Sequence, residues 1–293
     1  MRVTQNSIAS SVLTALQSNI NRLGATQQHL SSGRQLMKPS DSPAGTVSAL
    51  EMRSQVAANK QFARNVDDGL GWLGAADGAL QSSSDEMARV RQIALQGLTA
   101  GAVGDATNRE ALALEVEQIR DTILGFANTT YLDRPVFGGT ASDTFAFKPD
   151  GTHNGSTGQV IRQVSAGASV RVDVDGTKIF GSGTGGFYEV LTTVASKLRT
   201  NPNGLQAELA RIDSVATTIQ TGLSTVGSRA AQLEKMRQVA DDAVLNLMGS
   251  LTEVESIDLP KTITDLQLQQ TAYQAALAAG ARVVQSSLVD FLR

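Results

Sequence analysis

The chain has 293 residues, a formal net charge of −3 and no cysteine. That charge, with no basic cluster longer than two residues, argues against a nucleic-acid partner, and the missing thiols remove disulfides, thiolate catalysis and cysteine-held metals together. Aromatics make up only 4% of the residues, a composition closer to long helical rods than to an aromatic-cored enzyme.

No apolar run is long enough to span a bilayer. The start, MRVTQNSIAS, lacks the basic, apolar and small-residue layout of a cleaved secretion signal, so export would need another route. The six prolines fall at apparent breaks, and the intervals between them are where long helices can live.

In the first interval Leu13, Leu16, Ile20, Leu23 and Leu30 follow a 3-4 spacing with Gln27 in the empty slot. This is a heptad stripe, which points to a coiled-coil partner. Next comes SSGRQLMKPSDSPAG, residues 31–45. Gly33 can end the helix, Pro39 blocks helix at Lys38, and Ser40 or Asp41 can cap a new helix with Pro43 in its first turn. These residues are expected to form an elbow.

Val66, Leu73, Ala76, Leu80, Met87, Val90 and Ala94 predict a helix that stops near 101–104. Arg89 and Arg91 lie beside this stripe, either in a surface or intersubunit role or simply solvated. A second helix should begin at Thr107-Asn-Arg-Glu110, spaced as a capping box, and end near Asn128. Between 131 and 186 the period becomes alternating. Val170, Val172 and Val174 lead to Asp175-Gly176 and Lys178-Ile179-Phe180, read as a hairpin on a two-residue turn. Phe145-Ala-Phe147 before Asp150-Gly151 suggests another strand and turn.

A short helix (Phe187, Leu191, Val194, Leu198) is followed by the longest stripe, 205–257, which could be a rod of roughly 80 Å. The last interval repeats the heptad with Ile263, Leu266, Tyr273, Leu277, Val284 and Phe291. The expected fold is mainly α: a helical rod or coiled coil formed by the two terminal helices, with a small β-rich insertion. Three parts are expected: 1–35 with 260–293 as a terminal coiled-coil assembly region, 42–130 with 187–259 as a helical bundle, and 131–186 as the β-rich lobe.

Candidate chemistry is sparse. His29 and His153 have no triad or metal-ligand companions. Asp173-Val-Asp175-Gly176 puts Arg171 and Ser182 where a calcium loop needs carboxylates. The glycines of 180–186 lack the Lys-Ser/Thr of a phosphate loop. Asp241-Asp242 and Asp85-Glu86 are adjacent on helices and diverge, so they read as solvated surface. No catalytic, cofactor or metal site is expected, and an enzyme on a helical scaffold is the distant alternative.

Four segments carry a resemblance: LSSGRQLMKPSDSPAG (30–45), LGFANTTYLDRPVFGGT (124–140), VRVDVDGTKIFG (170–181) and LQLQQTAYQAALAAGARVVQSSLVDFL (266–292). Together they resemble the bacterial flagellin and hook-associated protein family, most closely its hook-filament junction members, with flagellin itself the competitor. The second proline of Lys38-Pro39-Ser-Asp41-Ser-Pro43 and the Asn128-Thr-Thr to Phe137-Gly-Gly-Thr140 stretch favour the junction members. Leu132-Asp133-Arg134-Pro135 departs from the usual pattern.

The resemblance implies a structural part of the extracellular flagellum, exported unfolded through the flagellar type III channel. It implies self-assembly in a ring or short helical layer, with another hook-associated protein on the hook side and flagellin or capping-side subunits on the other. A cytoplasmic export chaperone would bind the C-terminal helix. Nucleic acid and membrane are not expected partners.

Overall fold

In the computed structural model, residues 5–100, 105–141 and 145–291 are described, with side chains over 10–99, 105–141 and 145–281. The predicted proline-free intervals are helices: α1 (Gln5–Ser32), α2 (Pro43–Ala100), α3 (Ala106–Ala127), α5 (Phe187–Thr200), α6 (Leu205–Glu255) and α7 (Leu259–Phe291). The fold is mainly α with small β elements. The chain divides into two units, Met1–Ala57 with Val244–Arg293, and Ala58–Ala243.

In the Ala58–Ala243 unit, α2 and α6 run antiparallel in a fixed register. A Cβ on Gly69 would lie 2.9 Å from Leu233, one on Gly97 2.9 Å from Leu205, and one on Gly222 3.4 Å from Leu80. Arg91 of α2 pairs with Asp213 of α6. The register follows a seven-residue repeat: Gly69, Ala76, Ser83, Val90 and Gly97 on α2 against Leu233, Val226, Ile219, Ile212 and Leu205 on α6. Gly69, Gly97 and Gly222 leave room for Leu233, Leu205 and Leu80 of the facing helix, where a Cβ would meet the leucine side chains. The buried Ser83 hydroxyl donates to the Ala79 carbonyl at 2.7 Å, so this hydroxyl is satisfied within its own helix. The predicted stripe from Val66 to Ala94 is fully buried.

Helix α3 lies against α5, tied by Arg199, whose guanidinium donates to Glu110 at 2.9 Å and to Glu117 at 2.6 Å. Glu110 is therefore not half of a capping box. Helix α3 starts one residue earlier, after Asp105, without a side-chain cap, because a bidentate arginine holds Glu110 more strongly than one backbone N–H would. Arg89 and Arg91 pair within the chain, with Glu115 and Asp213.

Among the described residues the β-strands form two short antiparallel hairpins, β1 (Thr130–Tyr131) with β2 (Arg134–Pro135), and β3 (Ile161–Ser165) with β4 (Ala168–Arg171). The expected hairpin at Asp175-Gly176 is absent. Asp175 instead caps the one-turn helix α4 (Gly176–Ile179), its Oδ1 accepting from the Thr177 backbone N–H at 3.1 Å and from the Thr177 hydroxyl at 2.6 Å. The Asp side chain thus begins a helix instead of a hairpin turn. Gly176 is required by space: an added Cβ would sit 2.6 Å from the Phe137 carbonyl oxygen.

Around this point Phe137, Phe147, Phe180 and Phe187 are fully buried and meet edge to face, at 5.1 Å (Phe137–Phe180), 5.7 Å (Phe147–Phe180) and 5.6 Å (Phe180–Phe187). Asn128, just past the end of α3, clamps this cluster by donating to the Phe147 carbonyl and accepting from the Phe147 N–H.

Candidate assembly surface

The unit built from both ends of the chain pairs α1 with α7. Half-buried on α1 are Val12, Leu16, Asn19, Leu23, Thr26 and Leu30, with Gly24 and His29 beside this row, and on α7 Thr262, Leu266, Gln269, Tyr273 and Ala276, ending at the buried Gly280. Both sets follow a 4-3 spacing, the a/d seam of a coiled coil. The helices are antiparallel: Gly280 lies against Val12 and Leu16, and the Thr26 hydroxyl donates to Gln269 Oε1 at 3.0 Å.

The seam divides the predicted stripes. Leu16, Leu23, Leu30, Leu266 and Tyr273 lie in it. Leu13 (62% exposed), Ile20 (48%), Ile263 (44%) and Leu277 (44%) do not. Each follows a d-type seam position by one residue, so all four occupy e-type positions. In an antiparallel pair the e positions of the two helices flank the same side of the seam. The four side chains therefore share one uncovered apolar edge. The sequence reading missed Asn19, Thr26 and Gln269 as seam residues, since a polar side chain gives no hydrophobic signal; only the 4-3 spacing counted from Leu16 could have found them. The side chains of Val284 and Phe291 lie outside the described residues.

The elbow belongs to the same unit. Gly33 takes φ +68, a conformation that favours glycine, and its N–H donates to the His29 carbonyl, ending α1. One oxygen of Asp41 accepts from the backbone N–H groups of Lys38 (2.8 Å) and Met37 (3.0 Å). These two bonds, Lys38 first, hold the Asp41 carboxyl below its ordinary range. The cap of α2 is neither Ser40 nor Asp41. Ser42 accepts from the Gly45 N–H at 3.1 Å, with Pro43 at the first helical position; Asp41 is already committed to the turn.

A second joint, between α6 and α7, lies against the first. Gln35 N–H donates to the Glu255 carbonyl at 2.7 Å and Ile257 N–H to the Gly33 carbonyl at 3.2 Å, while Arg53 pairs with Glu255 at 2.7 Å. Pro39 lines a shallow pocket here with Leu36, Met37, Ala49 and Leu50.

The two histidines make local contacts. His29 Nδ1 lies 2.8 Å from the Arg34 carbonyl, and the His153 ring packs on Phe147 with Nε2 3.2 Å from the Phe137 carbonyl. Among the described residues no group of three His, Asp or Glu is placed to hold a metal ion, and no helix is long and apolar enough to cross a membrane.

Residues 3–137 match the bacterial flagellin N-terminal helical region. The flagellin of Bacillus subtilis (strain 168) is 24% identical, with all of both chains covered. Flagellar hook-associated protein 3 of Escherichia coli (strain K12) is 23% identical over 86% of this chain and 87% of its own. The chain is thus similar to bacterial flagellins and hook-associated proteins over most of its length, at 23–24% identity. Among solved structures, it shares its fold with the hook-associated protein of Vibrio parahaemolyticus (TM-score 0.66, 19% identity, 74% of this chain and 100% of that one). It also matches FlgL of Bacillus cereus (TM-score 0.61, 19% identity, 69% and 99%).

Proposed function

We propose that this chain is a structural, non-enzymatic subunit of the bacterial flagellum that joins hook to filament, and that the α1–α7 pair is the surface through which copies associate. The observation that carries this is the uncovered edge of Leu13, Ile20, Ile263 and Leu277 beside a half-buried seam. Helix α1 has a single charged side chain, Arg22, besides His29 in its 28 residues. An apolar edge on a nearly uncharged helix pair is costly in water, and neighbouring copies can cover it without burying unpaired charge.

In the same reading Gly33, Pro39, Asp41 and Pro43 form the elbow that ends α1 and leads into α2. In this reading the parts are 1–35 with 260–293, 42–130 with 187–259, and 131–186, and the partners are a hook-associated protein on one side and filament subunits on the other. The chain reaches the cell exterior through the flagellar export channel, with a chaperone engaging α7. The hook-associated proteins that share its fold support the junction role.

The second reading is a filament subunit, favoured by the match to a flagellin across all of both chains. Deleting the gene separates the two. Hooks without filaments, with flagellin shed to the medium, are the expected result; intact filaments would overturn the junction role. Seeded polymerisation of the purified protein into long filaments would establish the second reading instead.

A further inference from the structure

Within the Ala58–Ala243 unit, a cavity of about 340 Å³ opens between α6 and the segment 171–179, at the small end of the range for ligand sites. On the α6 side Thr217, Thr221, Thr225 and Arg229 recur every four residues and so share one face, the threonines spanning about 12 Å. Each threonine hydroxyl donates its hydrogen to the carbonyl one turn earlier, at 2.8 Å to Asp213, 2.9 Å to Thr217 and 2.9 Å to Thr221. Their lone pairs are left as a row of acceptors.

The other wall carries charge. Arg171 makes a bidentate pair with the buried Asp173, whose Oδ1 also accepts from the Val160 N–H, and Arg229 donates to the Asp173 carbonyl at 2.6 Å. Asp175 has one oxygen committed to capping α4, and Lys178 is exposed at the rim. Three cations thus face two carboxylates. Burial, and after it the neighbouring Arg171 charge, push the Arg229 guanidinium down from its ordinary range, with Asp173 opposing. The apolar floor is Val174 and Ile179.

We propose that this groove binds a small acidic carbohydrate of one or two sugar units. Its carboxylate is held by Arg229, Arg171 and Lys178, its hydroxyls donate to the threonine row, and its C–H face rests on Val174 and Ile179. A ligand that brings a negative charge and several O–H donors matches the surplus cation and the acceptor row together; a bare anion uses only the first.

The test is titration of the full chain with glucuronate, glucose and inorganic phosphate, followed by amide-shift mapping. Glucuronate should give saturable shifts confined to 171–179 and 217–229, binding about tenfold more tightly than either glucose or phosphate. Thr221→Val and Lys178→Gln, both at exposed positions, should each weaken it about threefold or more, the scale of one lost hydrogen bond, with unchanged thermal unfolding. Three results would overturn the proposal: no saturable shift in the groove, phosphate binding as tightly as glucuronate, or glucuronate binding unaltered in both variants.

Discussion

Asp41 closes the first joint through one carboxylate oxygen shared by two backbone N–H groups. Its folded pKa lies below the ordinary 3.8, so its contribution is present above that value and is lost as the pH falls through the depressed one. Asp41→Ala should raise amide exchange at Met37 and Lys38 several-fold at pH 7 while leaving α3 unchanged. The wild-type amide signals of these two residues should hold steady on acidification until below the ordinary carboxylate range. At the tip of the first hairpin, Leu132 and Asp133 sit at φ 48 and 60, the left-handed region that a two-residue turn demands and a leucine resists. Replacing the pair by Asn-Gly should stabilise the unit by about 0.5–1 kcal/mol, read by denaturant titration. Neither effect shows in hydropathy. Asp41 was legible as a turn former, but its double acceptor role needed coordinates. The departure from the family pattern at 132–135 still forms a hairpin because backbone pairing of Thr130 with Pro135 and Tyr131 with Arg134 fixes the turn.

Among the elements, the long helices were readable because their apolar spacing runs uninterrupted between prolines. The ends and pairings were less so. Glu110 sits at capping-box spacing yet is taken by Arg199, and Asp175-Gly176 has hairpin composition yet starts a helix. In both cases a neighbour distant in sequence or a side-chain bond decided between two local options. The terminal stripes were found as heptads, but which of their rows would face the partner helix turned on polar residues at Asn19, Thr26 and Gln269. The Arg199 clamp also sets an acid limit. Arg199 first, through its hydrogen bonds, holds Glu110 and Glu117 below the ordinary glutamate value, so the clamp's contribution is complete above that value and vanishes as the pH falls through the depressed ones. Arg199→Met should lower the thermal midpoint at pH 7, with the gap to wild type closing as the pH falls below the ordinary glutamate value and through the depressed ones.

Across the whole molecule, the α1–α7 pair joins residues separated by more than two hundred positions; Thr26 and Gln269 are 243 apart. Closing so long a loop costs entropy before any contact repays it, and the repayment is small: the described seam leucines are only half-buried, and valine, tyrosine, alanine, glycine and polar side chains fill the remaining sites. Isolated helices of this composition are marginal in water. The Ala58–Ala243 unit has its own core of fully buried side chains, from Trp72 to Leu233. Leu277→Asp should therefore abolish swimming while leaving the far-UV melting of residues 58–243, followed by exchange, unchanged.

In the proposed assembly role the terminal pair gains its stability from neighbouring copies. Amide exchange on the free chain at low concentration, compared with the assembled form, tests it most directly. Fast exchange along α1 and α7 in the monomer, slow exchange in α2 and α6 between 58 and 243, and protection of both ends on assembly are expected. Strong protection of α1 and α7 in the dilute monomer, unchanged on assembly, would contradict it.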